Sequence, residues 1–242
     1  PLAAAPPAAG YPVEAAMPPR AWDTGWYSWV LLTEFAQAWG PSAATATALN
    51  AILSAARSPA GQDEEKRKLI ELIEFRNGVM DEVVSQMVTF DAYFQGALAY
   101  THSTHPNTDY LVQGAMQVGT FVAMYYKNLF QRARPWQLWS QLMPPVQVPG
   151  HASFPSGHST QSHTIAKVLQ AVAGAVVPDV TNITERLAQR IARGREVLGL
   201  HYPSDTAAGH LLSHEIAAAY LACPTVARLV AAAQNEWASY TV

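Results

Sequence analysis

The chain has 242 residues, 50% of them hydrophobic and 14% charged, and 15 Lys+Arg against 18 Asp+Glu leave a net charge of −3. That length buries roughly 70–75% of the unfolded surface around one core. The small negative charge excludes a nucleic-acid partner, seven Trp, ten Tyr and seven Phe exclude disorder throughout, and the single cysteine, Cys223, excludes an intrachain disulfide or a multi-thiolate metal centre.

Residues 1–20 read as an extended Pro/Ala-rich arm, and 21–242 as a single all-α domain. Trp22, Trp26, Trp29, Val30 and Phe35 recur at helical spacing. Further helices are expected over 42–56, 63–75, 79–99 and 109–130, separated by Gly, Pro, Asn and Ser. The mixed-sign run DEEKRK at 63–68 reads as a solvated face. Four prolines between Arg134 and Phe154 predict a long loop. Helices resume over 158–176, 182–198 and 204–221, with a last one from Pro224, and Thr181 or Asn182 is expected to cap the second of these. No uncharged apolar stretch is long enough to read as a membrane span, so a soluble chain is expected, exported or cytoplasmic.

Three segments put cationic and imidazole groups where a core helix carries none. In KNLFQRARP, Lys127 and Arg134 are seven apart and return to nearly the same helix face, although for this segment alone a C-terminal cation complementing the helix dipole is the better explanation, and Arg132 follows it. In HASFPSGHSTQ, Pro155, Ser156 and Gly157 open a helix whose first turn offers a hydroxyl and an unobstructed N–H to an anion, with His158 beside them and His151 upstream. A plain Ser cap gives the same pattern. In GREVLGLHYPSD, Arg195 takes a slot on the apolar stripe of Ile183, Leu187, Ile191 and Leu198, Gly199 ends the helix, and Asp205 is placed to orient His201. Together these residues describe a cradle for a compact tetrahedral oxyanion, with one imidazole bonding the central atom and the other handling a proton. His163, His210 and His214 receive no role. The last two are four apart, a metal-ligand spacing, but no third ligand is evident and a helix surface explains them.

The order Lys127-x6-Arg134-Pro135, Pro155-Ser156-Gly157-His158 and Arg195-x5-His201-x3-Asp205 resembles the signature shared by vanadium haloperoxidases, class A acid phosphatases and type 2 phosphatidic acid phosphatases. The resemblance covers 127–205 and implies a helical bundle enclosing the anion. Gly194, Leu198-Gly199, His201-Tyr202, Ala133, the run Ser159-Thr160-Gln161 and His151 are similar to algal bromoperoxidases, whereas Ser159 and Pro203-Ser204 depart from them.

On that resemblance the expected function is a vanadate-dependent bromoperoxidase acting on hydrogen peroxide, bromide and small organic acceptors. His201 would bind the metal, Lys127, Arg134, Ser156, Gly157, His158 and Arg195 would hold the oxyanion, and Asp205 would support His201. His158, Lys127 and His151 would join His201 in catalysis. The alternative is an acid phosphatase working through a phosphohistidine, with phosphate in the same cradle, and a third reading is an oxyanion binder without turnover. The high aromatic content suggests a homo-oligomer.

Overall fold

The helical spacing of apolar residues becomes helices throughout the computed structural model, which describes residues 22–239. The arm expected over 1–20 lies outside the described residues. Among the described residues every regular element is helical, so the all-α expectation holds. Asp23 caps α1 (Thr24–Ala38), Ser42 caps α2 (Ala43–Arg57), and Ser58 caps α3 (Pro59–Glu71), whose Pro59 occupies the first turn, where no N–H is missed. A 3-10 turn at Ile73–Phe75 leads into α4 (Arg76–Ser85).

The single helix expected over 79–99 is two: α4 stops at Ser85, and α5 (Asp91–Leu98) begins after a non-helical stretch. No Gly or Pro marks that break. The break carries the Gln86 carbonyl and the Phe90 ring, both of which meet His158.

The long α6 (Pro106–Phe130) ends at Gln131, whose φ of 48° turns the chain out of the helix. Lys127 and Arg134 are therefore not on one continuous helix face as their spacing suggested. Arg134 instead precedes the single turn α7 (Pro135–Leu138), and with a 3-10 turn at Ser140–Leu142 this is the regular structure within the proline-rich loop.

The C-terminal half comprises α8 (Gly157–Ala173), α9 (Val180–Val197), α10 (Pro203–Leu221) and α11 (Pro224–Ser239). α9 starts after Asp179 with no side-chain cap, so neither Thr181 nor Asn182 caps it; both lie inside its first turn.

α8 is the central helix, packed against α6, α9 and α10, while α6 is covered by α1 and α11. Two glycines allow close approaches that shape the site. A Cβ on Gly209 would fall 2.7 Å from Ser159 Cβ and 2.8 Å from the Ser156 carbonyl oxygen, so α10 lies tight against the start of α8. A Cβ on Gly194 would fall 2.8 Å from Val83 Cγ1, so α9 lies equally tight against α4. Cys223 is buried in the main core, as expected of a small apolar residue.

Candidate active site

α6, α8, α9 and the turn before α10 converge on a cavity of about 280 Å³ whose wall includes Lys127, His151, Gly157, His158, Arg195 and His201. Met87, Ala123, Met124, Pro149 and Leu200 make the rest of the wall largely apolar, with Thr120 and Gln161 as further polar groups. Three segments far apart in the chain thus meet at one place. Arg134 and Ser156 lie behind this wall: Arg134 reaches His201 Nε2 at 3.5 Å, and the buried Ser156 hydroxyl accepts from Ser159 N as the cap of α8. Gly157 opens α8, and a Cβ there would meet little but open space.

The best-defined part of the site is His201 with Asp205. Gly199, at φ +71°, ends the run that holds Arg195 and lets Leu200 N donate to the Arg195 carbonyl, so His201 enters the cavity immediately afterwards. Asp205 sits in the first turn of α10, where the helix dipole favours a carboxylate. Its Oδ2 lies 3.0 Å from His201 Nδ1 and also accepts from Ser153 Oγ and Tyr202 N, while Oδ1 accepts from Arg132 at 2.7 Å. Burial raises the Asp205 pKa, but the bonds from His201 and the Arg132 charge outweigh it and hold the carboxyl below the usual range. An ionised Asp205 fixes the proton on His201 Nδ1 and leaves Nε2 unprotonated, with its lone pair reached only by Arg134 at 3.5 Å. Burial, with Lys127 and Arg134 adding to it, holds His201 well below the usual histidine pKa, so the ring is neutral.

The cations are buried without carboxylate partners. Lys127 donates to the carbonyls of Ala152, Ser153 and Pro155, fastening the segment that leads into α8. Its pKa falls to about 7 because burial outweighs the attraction of Asp205, and Arg134 pushes it the same way. Arg134 donates to the carbonyls of His151 and Leu200 and to His151 Nδ1. Arg195 donates to the Val83 carbonyl, and its Nε is buried with no acceptor. Burial lowers both guanidinium pKa values to about 10, so both remain charged. Among the described residues, none of the three cations makes an ion pair with a carboxylate. Buried positive charge of this kind calls for an anion.

His158 lies against Phe90 with ring centroids 5.1 Å apart, and its Nε2 donates to the Gln86 carbonyl at 3.1 Å. Burial first, then Arg195, Lys127 and Arg134, hold its pKa down to about 3. His151 is exposed at the cavity rim, with its pKa lowered mainly by partial burial.

The roles of some residues here were not read from the sequence. Arg132, read from the sequence as a helix-end surface cation, is buried: it stacks 3.6 Å over the Tyr202 ring and bridges Asp205 and Glu65. Glu65, read as part of a solvated face, is buried too, and accepts from Arg132, Ser204 N and Ser204 Oγ. The available signal was its place one and two turns before the buried Leu69 and Leu72. Arg76 donates to the carbonyls of Val197, Leu142 and Met143, tying α4 to the end of α9 and to the proline-rich loop.

Comparison with known proteins agrees with this geometry. Residues 110–228 match the PAP2 superfamily model. The chain is 34% identical over 114 residues to decaprenylphosphoryl-5-phosphoribose phosphatase of Mycobacterium tuberculosis, covering 46% of this chain and 58% of that protein. It is 33% identical over 93 residues to the vanadium-dependent bromoperoxidase of Ascophyllum nodosum, covering 28% of this chain and 17% of that protein. The chain thus spans little over half the length of the mycobacterial relative. Among solved structures, the transmembrane PAP2-type phosphatidylglycerolphosphate phosphatase of Bacillus subtilis shares the fold at a TM-score of 0.57 and 17% identity, over 73% of this chain and 92% of that one.

That relative corrects the expectation of no membrane span, since its fold is transmembrane. No single described helix is long and apolar enough to cross a membrane, but α10 and α11, bent by 91°, pass the length and composition test together. No single uninterrupted apolar stretch shows this in the sequence, because Pro224 divides α10 from α11. The match over 110–228, within which the motif residues gather at one cavity, is to the PAP2 superfamily, which phosphatases and vanadium haloperoxidases share.

Proposed function

We propose that the chain hydrolyses phosphate monoesters through a phosphohistidine on His201. The observation that carries this reading is the set of buried cations, Lys127, Arg134 and Arg195, left without carboxylate partners around a cavity that also presents an aspartate-oriented imidazole. A phosphoryl group supplies the missing negative charge. His201 Nε2 attacks phosphorus while Nδ1–H stays on Asp205, which stabilises the charge the ring acquires. The bond from phosphorus to the ester oxygen breaks, and His158 protonates that oxygen through the nitrogen not held by Gln86. Water, deprotonated by His158, then attacks the phosphohistidine and releases phosphate. Arg195 and the Gly157 N–H, both in the cavity wall, stabilise the oxygens in flight, Arg134 adds positive charge from behind His201, and Lys127 both adds positive charge and holds the 152–155 segment in place. With a pKa near 3 in the free protein, His158 acquires its proton with the substrate, because the arriving negative charge offsets the cations that suppress it.

The largely apolar wall fits a monoester whose alcohol is hydrophobic next to the phosphate, and the volume suits a headgroup rather than a whole lipid. The mycobacterial and Bacillus relatives, both phosphatases by name, support this reading, and the second supports work at a membrane. So do Trp26 and Trp29, exposed on α1 as aromatic residues often are at membrane interfaces.

The bromoperoxidase relative supports a second reading over a shorter match. The donor set fits vanadate, a tetrahedral oxyanion like phosphate: His201 Nε2 would ligate it, and Lys127, Arg134, Arg195 and the Gly157 N–H would hold its oxygens. Bound there, vanadate supplies activation of hydrogen peroxide toward bromide. Gly194, one of the residues similar to algal bromoperoxidases, has a packing reason here in its contact with Val83.

The test is p-nitrophenyl phosphate hydrolysis without added metal or vanadate, run beside bromination of monochlorodimedone with vanadate, peroxide and bromide. The proposal expects hydrolysis that His201→Ala abolishes. Bromination without hydrolysis would overturn it in favour of the second reading.

A further inference from the structure

Outside the cavity, α8, α9 and α10 bring together three side chains that the sequence left without a role or did not connect. His163 on α8, Glu185 on α9 and His210 on α10 place their ligand atoms within 4.8 Å of one another. Glu185 Oε1 is 3.5 Å from His163 Nε2 and 3.2 Å from His210 Nε2.

The His163 ring is 1% exposed, and its Nδ1 lies 2.8 Å from the Ser159 carbonyl oxygen. A carbonyl only accepts, so the proton is on Nδ1, and Nε2 presents a lone pair. That Nε2 is buried without a hydrogen-bond partner and faces the carboxylate oxygen. Two electron pairs facing each other across this gap form a place for a cation between them. The two separations are close to the edge of a tetrahedron with metal–ligand bonds of about 2.0–2.1 Å, roughly 3.3 Å.

We propose that His163, Glu185 and His210 bind one zinc-class transition-metal ion. Two neutral imidazoles and a carboxylate are borderline donors that favour Zn²⁺ and its first-row neighbours over Ca²⁺ or Mg²⁺. The fourth position falls to water or to His214, one turn along α10, whose ring centroid is 5.3 Å from that of His210. A cleft of about 570 Å³ lined in part by His163, His210 and Arg190 gives the ion access from solvent. The Ser159 carbonyl that holds His163 Nδ1 is the outer partner a metal-binding imidazole needs.

The site's effect follows from the helices it joins. α8 carries His158, α9 carries Arg195 and α10 carries Asp205, so one ion ties together the three helices that build the cavity wall and its support. The role is structural and does not depend on which oxyanion chemistry the cavity performs.

The experiment titrates chelator-stripped protein with Zn²⁺ alone by calorimetry, and with Co²⁺ alone by visible absorption, which distinguishes tetrahedral from octahedral coordination. It compares the parent with Glu185→Gln, His210→Ala and, as a control for the catalytic imidazoles, His201→Ala. Glu185 and His210 are partly exposed, so their variants are expected to fold, and circular dichroism checks this. The proposal expects one Zn²⁺ equivalent in the parent and in His201→Ala, a tetrahedral Co²⁺ spectrum, and a Tm increase of about 5–10 °C at a hundredfold excess over Kd. Glu185→Gln and His210→Ala should each weaken binding at least roughly tenfold. No binding in the parent, binding unchanged in both variants, or binding lost only in His201→Ala would each overturn the proposal.

Discussion

Arg132 offers the sharpest test of how the site is supported. Its guanidinium lies between Glu65 at 2.6 Å and Asp205 at 2.7 Å, and the three side chains are 7%, 8% and 0% exposed. Arg132→Met keeps most of the volume and some contact with the Tyr202 ring, but leaves two buried carboxylates facing each other without a cation. Breaking a buried pair in this way costs about 3–5 kcal/mol. In a domain of this size that is a Tm decrease of roughly 6–20 °C. Glu65→Gln should cost less, about 1.5–3 kcal/mol, because Arg132 keeps Asp205 and only charge-assisted bonds to Glu65 are lost. The double variant removes the cation together with one of the carboxylates it neutralises. Its cost should fall short of the sum of the single costs by about 0.5–3 kcal/mol. Urea denaturation of the four proteins followed by tryptophan fluorescence and circular dichroism measures this, with coincident transitions required before free energies are compared. Costs that add within about 0.5 kcal/mol would refute the reasoning, since they would mean that Arg132 and Glu65 do not share one electrostatic network.

Orthophosphate binding should take up protons at pH 7. Burial and neighbouring cations hold His158 near 3 and Lys127 near 7 in the free protein, and an incoming anion raises both, so affinity should increase as pH falls; calorimetry in buffers of different ionisation enthalpy would contradict this by showing proton release. In the protein without ligand the depressed Lys127 pKa has the opposite consequence. Between pH 7 and its unfolded value of about 10.4 the unfolded chain binds more protons, so this group's contribution to stability should increase with pH across that window and disappear in Lys127→Met. Gly194→Ser should lower stability by about 1–3 kcal/mol, because its Cβ would sit 2.8 Å from Val83 Cγ1; a neutral effect in denaturant titration would remove the packing explanation for this glycine.

The parts of the site that the sequence revealed are those built from neighbours along the chain. His201 and Asp205 are four residues apart across a turn that Gly199 permits, and the Ser156 cap with Gly157 behind it follows from local helix rules. What stayed hidden depends on packing between distant segments. Glu65 and Arg132 are charges in the interior; the letters QRAR carry no mark of Arg132's burial, and in DEEKRK the only mark of Glu65's is its register with Leu69 and Leu72. The division between α4 and α5 has no Gly or Pro because it is made by contact with His158, through Gln86 and Phe90. His210 and His214 were visible as a pair, but their neighbours His163 and Glu185 come from two other helices and are brought to them only by the packing of α8 and α9 against α10.

The central claim is that His201 Nε2 is the atom that takes the phosphoryl group. Rapid acid-free quenching of the protein with a phosphorus-labelled aryl phosphate, followed by mass spectrometry of the peptide spanning 196–205, measures it directly. The account predicts an acid-labile, base-stable phosphoryl group on His201 that is absent in His201→Ala and accumulates when Asp205 and Arg132 are intact. A label on His158 or Ser156 instead, or ester hydrolysis that continues unlabelled in His201→Ala, would contradict it.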